Sequence, residues 1–116
     1  MSAIFLSNDM MFSSHIMSAA DNVDVALTVT MSPDGLINEV LDEQTQLVIL
    51  DLRVAGIEPI ELVQKIREIS ANAKVVAFGP HIHQQRLASA RDANCDEVLT
   101  QGQFNSRMTD LLTKYS

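Results

Sequence analysis

The chain has 116 residues, of which 47% are hydrophobic, so it is long enough to form one core and too apolar to be disordered. Its formal net charge of −7, from 8 basic and 15 acidic residues, argues against direct nucleic-acid binding, which needs clustered lysine and arginine. No apolar run approaches the roughly 20 residues of a membrane span, and the single cysteine, Cys95, cannot form an internal disulfide. We therefore expect a small acidic domain of the cytoplasm, with no membrane or nucleic-acid partner.

Apolar patterning predicts strands and helices that alternate along the chain. The predicted strands are residues 3–6, 23–30, 47–50, 74–78 and 97–100. The first helix is expected to begin after the cap offered by Asn8-Asp9, and the next two to begin at Pro33 and Pro59, with Ser32 as the N-cap of the second helix. The apolar stripes of the five helices are Phe12, Ile16, Ala19 and Ala20; Ile37, Val40 and Leu41; Leu62, Ile66 and Ile69; Leu87 and Ala90; and Met108, Leu111, Leu112 and Tyr115.

This alternation predicts an α/β fold with a five-stranded parallel sheet that is covered by helices on both faces. Residues 47–50 and 75–77 are all apolar, which indicates adjacent central strands that are nearly fully buried. Asp51 follows at the carboxyl end of its strand, where ligands collect in open α/β sheets. Such a carboxylate could be a phosphoacceptor, a metal ligand or a helix cap. No repeat or linker is visible, and we expect a single domain over residues 1–116 with no output domain.

The segment Leu-Val-Ile-Leu-Asp51-Leu, together with the length and the strand–helix alternation, resembles the receiver domain of bacterial response regulators. Gly56 lies where that family has a Pro-Gly turn, and residues 93–100 resemble its Gly-Ala-Asp approach to the fifth strand. The resemblance covers the whole chain. It implies a flavodoxin-like, doubly wound sheet in the order 2-1-3-4-5, with Asp51 at the phosphoacceptor position.

The other pocket positions depart from the family's pattern. Receivers carry an acidic pair after strand 1, Ser or Thr after strand 4, and Lys-Pro after strand 5. These positions fall on Ser7-Asn8 (with Asp9 one residue late), on Gly79, and on Gln101 followed by Gly102. Because Mg²⁺ prefers hard anionic oxygens and Gln101 carries no charge, the resemblance implies a degenerate pocket.

The expected function is that of a stand-alone pseudo-receiver, which is not an enzyme, needs no cofactor and acts through protein–protein contacts. The alternative is a functional receiver in which Asp51 accepts the phosphoryl group of a histidine kinase. In that case Asp9, Asp51 and Arg53 would hold a weakly bound Mg²⁺, with Asn8 as the alternative to Asp9.

We expect the contact surface on helix 4, strand 5 and helix 5, which receivers use to meet partners or a second copy. Its candidate residues are Arg91, Arg107 and Asp110, part of a mixed-charge face on an acidic chain. The partner would be a histidine kinase, a downstream signalling protein or another copy of the chain. The helix 1 face around Met11 and His15 is the alternative surface.

Three further residues invite a chemical role. His81 and His83 follow strand 4 on the same rim as Asp51, but we interpret them as solvated loop histidines, because a third metal ligand would have to come from Asp51 or Asp9. Cys95 has no nearby lysine or arginine in sequence and is interpreted as a small buried hydrophobe.

Overall fold

The computed structural model describes residues 2–115 and contains one five-stranded parallel sheet in the order β2-β1-β3-β4-β5. The strands are β1 (Ser2–Leu6), β2 (Ala26–Thr30), β3 (Leu47–Asp51), β4 (Lys74–Gly79) and β5 (Glu97–Thr100). The helices are α1 (Met10–Asn22), α2 (Pro33–Gly35), α3 (Pro59–Ile69), α4 (Gln84–Asp92) and α5 (Gln101–Tyr115). The predicted fold class and strand order are confirmed.

The predicted helix starts are also confirmed. Asp9 caps α1, where its carboxylate accepts a hydrogen bond from the Phe12 N–H at 2.9 Å. Ser32 caps α2, and Pro59 occupies the first turn of α3, where its missing N–H costs nothing. None of the helices within residues 2–115 is long and apolar enough to cross a membrane.

The core lies on both faces of the sheet and is centred on β3, whose five residues are all buried. Residues 47–50 and 75–77 are 0% exposed, as predicted for adjacent central strands. On the α1–α5 face, the four phenylalanines of the chain stack together, and the Phe78 and Phe104 ring centroids lie 4.2 Å apart. The apolar strands thus hold the end of β3, with Asp51, at a fixed place in the sheet.

Two elements differ from the sequence prediction. β2 begins at Ala26 rather than at residue 23, because Val23 and Val25 both donate to the Ala20 carbonyl and Asp24 adopts a left-handed backbone (φ 57°) between them. The second helix is short: α2 passes into a π-helical turn over Leu36–Val40, in which Leu41 N–H bonds to the Leu36 carbonyl.

This π turn changes which residue reaches the core. Leu36 is fully buried, whereas Ile37 and Val40, which the helical stripe favoured, are only half-buried. In a π turn the hydrogen bonds join residues five apart, so the side chains point in directions different from those of the 3.6-residue α-helical period on which the prediction rested. The short second helix also leaves Ala26 and Thr28 of β2 exposed.

Candidate functional site

Asp51 ends β3 at the carboxyl edge of the sheet and is 0% exposed. Its carboxylate accepts four hydrogen bonds, two on each oxygen. Ser7 Oγ donates to Oδ2 at 2.7 Å, and Arg53 donates to Oδ1 through its backbone N–H and its Nε, each at 3.0 Å. Arg53 Nη2 donates the fourth bond, to Oδ2 at 2.8 Å. A carboxylate has about four lone-pair positions, so the acceptor capacity of Asp51 is used up.

Arg53 lies two residues after Asp51, and its side chain folds back to bind the carboxylate with two parallel bonds. The same Nη2 also donates to Asp9 Oδ2 at 3.2 Å, so that one guanidinium joins both carboxylates. Its hydrogen bonds to Asp51 raise the pKa of Arg53 further above its ordinary value, despite an opposing effect of burial. Arginine keeps its charge at every pH that a folded protein experiences, so this cation is permanent.

Asp9 reaches the pocket although it stands one residue late for the family's acidic pair. Its position as the N-cap of α1 fixes its direction: Oδ1 accepts from Phe12 N–H, which leaves Oδ2 for Arg53. The Phe12 N–H is the main cause that lowers the pKa of Asp9; burial opposes it, and Arg53 lowers the pKa further. Asn8, in contrast, is exposed.

Ser7 forms hydrogen bonds with both Asp51 and Asp9. Its hydroxyl donates to Asp51 and accepts from the Asp9 N–H at 3.1 Å, and the residue is only 1% exposed. The position where the family has an acid is therefore a hydroxyl that binds the Asp51 carboxylate and the backbone of Asp9.

Gly79 and Gln101 contribute no polar group to Asp51. A Cβ on Gly79 would lie 3.3 Å from the Leu52 Cβ, so the Leu52 side chain packs tightly against the position where the family has Ser or Thr. Gln101 begins α5 and lines a shallow groove of about 290 Å³ together with Asp9, Met11 and His15. None of the four bonds to Asp51 comes from it.

The pocket in this arrangement does not fit a divalent cation. Asp9 and Asp51 are its only carboxylates among residues 2–115, and the guanidinium lies between them. Within residues 2–115 no group of three or more His, Cys, Asp or Glu side chains could hold a metal ion. Mg²⁺ needs near-octahedral oxygen ligands with free lone pairs, and here those of Asp51 are directed at Arg53 and Ser7.

The remaining candidate residues lie outside this network. His81 is exposed and His83 half-buried, and the His83 Nδ1 has no hydrogen-bond partner within residues 2–115. Burial raises the pKa of Cys95 to about 11, which makes it a neutral thiol at physiological pH. Met11 and His15 are both exposed on α1.

The predicted contact surface contains a second carboxylate cluster. Glu97 of β5 is bound by Arg107 Nη2 at 3.0 Å, Lys114 Nζ at 3.4 Å and the Tyr115 hydroxyl at 2.5 Å. Burial raises the pKa of Glu97, but the Tyr115 hydroxyl and Arg107 outweigh that effect and the net pKa lies below its ordinary value. Arg91 and Asp110 are exposed and form no ion pair with other residues of the range 2–115.

Sequence reasoning placed Arg53 in the pocket only as a candidate metal-binding position, and its side-chain role was missed. The available signal was an arginine two residues after a strand-end aspartate, in a chain with only eight basic residues. At that spacing the side chain can return to the carboxylate in a bidentate geometry.

No family model matches the chain, and no curated protein is similar to it in sequence. Solved structures are similar in fold. The BeF3-activated DrrB receiver domain superposes with a TM-score of 0.80 at 11% identity, over 98% of this chain and 95% of that one.

Two further structures agree. The receiver domain of the sensor histidine kinase PA1611 from Pseudomonas aeruginosa, solved with a magnesium ion coordinated in its active-site cleft, gives a TM-score of 0.80 at 9% identity over 98% and 95% of the two chains. A response-regulator receiver domain from Rhodospirillum rubrum gives 0.75 at 14% identity over 99% and 93%. The chain therefore has the fold of response-regulator receiver domains, with an arginine bound between the two acids at the carboxyl edge of its sheet.

Proposed function

We propose that the chain is a receiver-like signalling domain that acts through protein–protein contacts and keeps Asp51 unphosphorylated. The observation that carries this proposal is the set of four hydrogen bonds on Asp51. A carboxylate attacks a phosphoryl group through a free oxygen lone pair, and here each lone pair already accepts a donor. Arg53 supplies the positive charge that the two acids need, so the pocket is complete without a metal ion.

Removal of Arg53 from the pocket is costly, which favours a fixed pocket over a switch. Asp51 is fully buried, and a buried carboxylate that loses its partner is strongly destabilised. The bidentate bond to Asp51 and the added bond to Asp9 hold the guanidinium at three oxygen atoms. Arginine stays protonated, so the guanidinium is not released by the loss of its own charge.

The proposed contact surface is α4, β5 and α5, and a structural connection joins it to the pocket. Arg86 of α4 donates from Nη1 to the Leu52 carbonyl at 2.9 Å, and Leu52 directly follows Asp51. The loop that carries the pocket is therefore bound to the helix that carries Arg91. The free charges of Arg91 and Asp110 suit a partner with a mixed-charge face, such as a histidine kinase or a downstream signalling protein.

One observation favours the alternative function, in which Asp51 accepts a phosphoryl group. Asp9 Oδ2 and Asp51 Oδ2 lie 3.2 and 2.8 Å from the same Arg53 nitrogen, so both acids are within reach of a single cation. If Arg53 left the pocket, the two carboxylates would remain as ligands for Mg²⁺.

Treatment with acetyl phosphate and Mg²⁺, followed by intact-mass spectrometry, separates the two functions. We expect the wild-type chain to remain unlabelled under conditions that label a receiver control. A stoichiometric phosphoryl adduct that disappears in Asp51→Asn would establish the alternative and overturn the proposal. Arg53→Ala, which frees two of the four lone pairs of Asp51, is the variant in which labelling would first become measurable.

The contact surface is tested by charge reversal. The double variant Arg91→Glu with Arg107→Glu should reduce the set of proteins that crosslink to the chain in its own cells, while its free energy of unfolding stays within about 1 kcal/mol of wild type. The matched control is Lys65→Glu with Lys74→Glu, which changes the net charge equally at exposed positions elsewhere. Equal losses in both double variants would mean that net charge, and not this surface, governs the contacts.

A further inference from the structure

β2 is an edge strand with free backbone hydrogen-bonding groups. Its only neighbour among the strands of residues 2–115 is β1. The Thr30 carbonyl accepts from Ser7 N–H at 3.0 Å, so the backbone of Thr30 faces β1. Because alternate residues of a strand direct their peptide groups to the same side, Thr28 also faces β1, whereas Leu27 and Val29 direct their N–H and C=O groups outward. The outer edge therefore presents two donors and two acceptors.

This edge lacks the charges that commonly protect edge strands from pairing. No charged residue lies between Asp24 and Asp34, in a chain with 15 acidic residues. The opposite edge of the sheet differs, because β5 begins with Glu97, which carries the Arg107 and Lys114 ion pairs. The neutral stretch includes β-branched residues at 25, 28, 29 and 30, which suit a strand.

We propose that β2 pairs antiparallel with β2 of a second copy of this chain, about a two-fold axis at Thr28. Thr28 is the central residue of the five-residue strand, so this register gives the largest overlap. Leu27 then lies opposite Val29 of the partner subunit, and Val29 opposite Leu27 of the partner subunit. Each pair exchanges two N–H···O bonds, and all four outward groups of both strands are satisfied.

A second copy fits this edge because the outward groups are self-complementary. A two-fold axis places the same surface on both subunits, and the neutral stretch brings no like charges together in the strand pair. The exposed face of Ala26 and Thr28, which the short α2 leaves open, lets the two strands approach without a covering helix. The α4–β5–α5 surface lies at the opposite edge and stays free in such a dimer, so this inference does not depend on the proposed function.

Cysteine crosslinking tests the axis directly. In the proposed dimer, residue 28 of one subunit lies directly opposite residue 28 of the other, at a non-hydrogen-bonded position of the strand pair. Their Cα atoms would be about 4.5 Å apart, which suits a disulfide in Thr28→Cys. In the matched control Ala26→Cys, the new residue is exposed on the same face, but its two copies are offset by four residues, about 13 Å along the strands. Oxidation should link Thr28→Cys into dimers and leave Ala26→Cys monomeric. Equal linking of both variants, or of neither, would overturn the proposal.

Sedimentation velocity over a concentration series tests the dimer without a crosslink. We expect the wild type to dimerise, and Val29→Pro and Thr28→Lys to weaken dimerisation about tenfold or more. Val29→Pro removes an outward N–H and none of the N–H groups that face β1, but it also removes a half-buried side chain that packs against the core. Thr28→Lys therefore checks the result at an exposed side chain. The control Thr109→Lys makes the same change on α5 and should dimerise as the wild type does.

Each other outcome of this series contradicts the inference. A wild-type chain that stays monomeric at all concentrations would overturn it, and so would a dimer that Thr28→Lys leaves intact. Loss of the dimer in Thr109→Lys would place the interface on α5. Because both copies carry a formal charge of −7, dimerisation through a neutral edge should strengthen with salt, and weakening with salt would point to ion pairs instead.

Discussion

Asp51 and Glu97 are two carboxylates with nearly the same partners and very different surroundings. Asp51 accepts a hydrogen bond from the Ser7 hydroxyl and is paired with Arg53. Glu97 accepts a hydrogen bond from the Tyr115 hydroxyl and is paired with Arg107. The Asp51 side chain is 0% exposed and that of its partner Arg53 29%, whereas 17% of the Glu97 side chain and 41% of that of its partner Arg107 face solvent. The same set of bonds can therefore be indispensable at one place and dispensable at the other.

The difference follows from the energetics of charge in proteins. An exposed ion pair gains little, since water already solvates both groups and salt screens them. At the sheet edge the Asp51 carboxylate itself is closed to solvent, and loss of its partner leaves a buried charge uncompensated. We therefore expect the Asp51 network to determine the stability and the chemistry of the pocket, and the Glu97 cluster to shape a surface.

Arg53→Ala should cause the largest loss of stability among the substitutions in the two clusters. It leaves the buried Asp51 without a cation, and we expect a loss of about 3 kcal/mol in the free energy of unfolding. Urea denaturation monitored by circular dichroism measures this value. Arg107→Ala is the matched variant in the Glu97 cluster and should lose only about 0–1 kcal/mol, with the loss shrinking as salt is added. Similar losses in the two variants would show that burial does not separate the clusters.

Ser7→Ala should have the next largest effect. It removes the neutral donor to a buried carboxylate, and a hydrogen bond to a charged group contributes about 2 kcal/mol. Tyr115→Phe removes the corresponding donor to Glu97 and should cost at most about 1 kcal/mol, because water can replace the hydroxyl there. The comparison fails if Tyr115→Phe is the more destabilising of the two substitutions in the same denaturation experiment.

Removal of Arg53 should change the pKa of Asp9 and leave that of Glu97 unchanged. The pKa values of Asp9 and Glu97 are lowered from their ordinary 3.8 and 4.5, so the native chain binds fewer protons than the unfolded chain. The two carboxylates therefore contribute their full stabilisation of the fold above the ordinary pKa values. This contribution is lost as the pH falls through their lowered pKa values in the native chain.

Carboxyl carbon NMR shifts report this titration residue by residue. Arg53→Ala should raise the pKa of Asp9 only partway to 3.8, because the Phe12 N–H remains as the main lowering cause, and should leave Glu97 unchanged. An Asp9 that titrates at its ordinary value in the wild-type chain would contradict the geometry of the pocket.

Much of the fold was predictable because it rests on apolar patterning. The buried runs at 47–50 and 75–77 and the caps at Asp9 and Ser32 are local signals, and the structure confirms them. The strand order came from the resemblance to receivers, since patterning alone does not order strands. The π turn after α2 was not predictable, because no residue pattern distinguishes a five-residue spacing from a helical one.

The site was predictable only in part. Asp51 was placed correctly at the end of β3, and the family's pattern pointed to Ser7, Asp9 and Gly79. Sequence could not show where the Arg53 side chain points, since a long side chain in a loop has many rotamers and its direction depends on Asp9 from another element. The departures from the receiver pattern looked like losses, yet Ser7 and Arg53 together form a complete network.

The central claim is that Arg53 takes the cation position of this pocket, and a Mg²⁺ titration followed by amide NMR tests it most directly. In the wild-type chain, millimolar Mg²⁺ should leave the Ser7, Asp9 and Asp51 amide shifts unchanged. In Arg53→Ala, the same titration should shift these amides in a saturable way, because two carboxylates then lack a cation. Saturable binding by the wild-type chain with the affinity of the variant would contradict the claim.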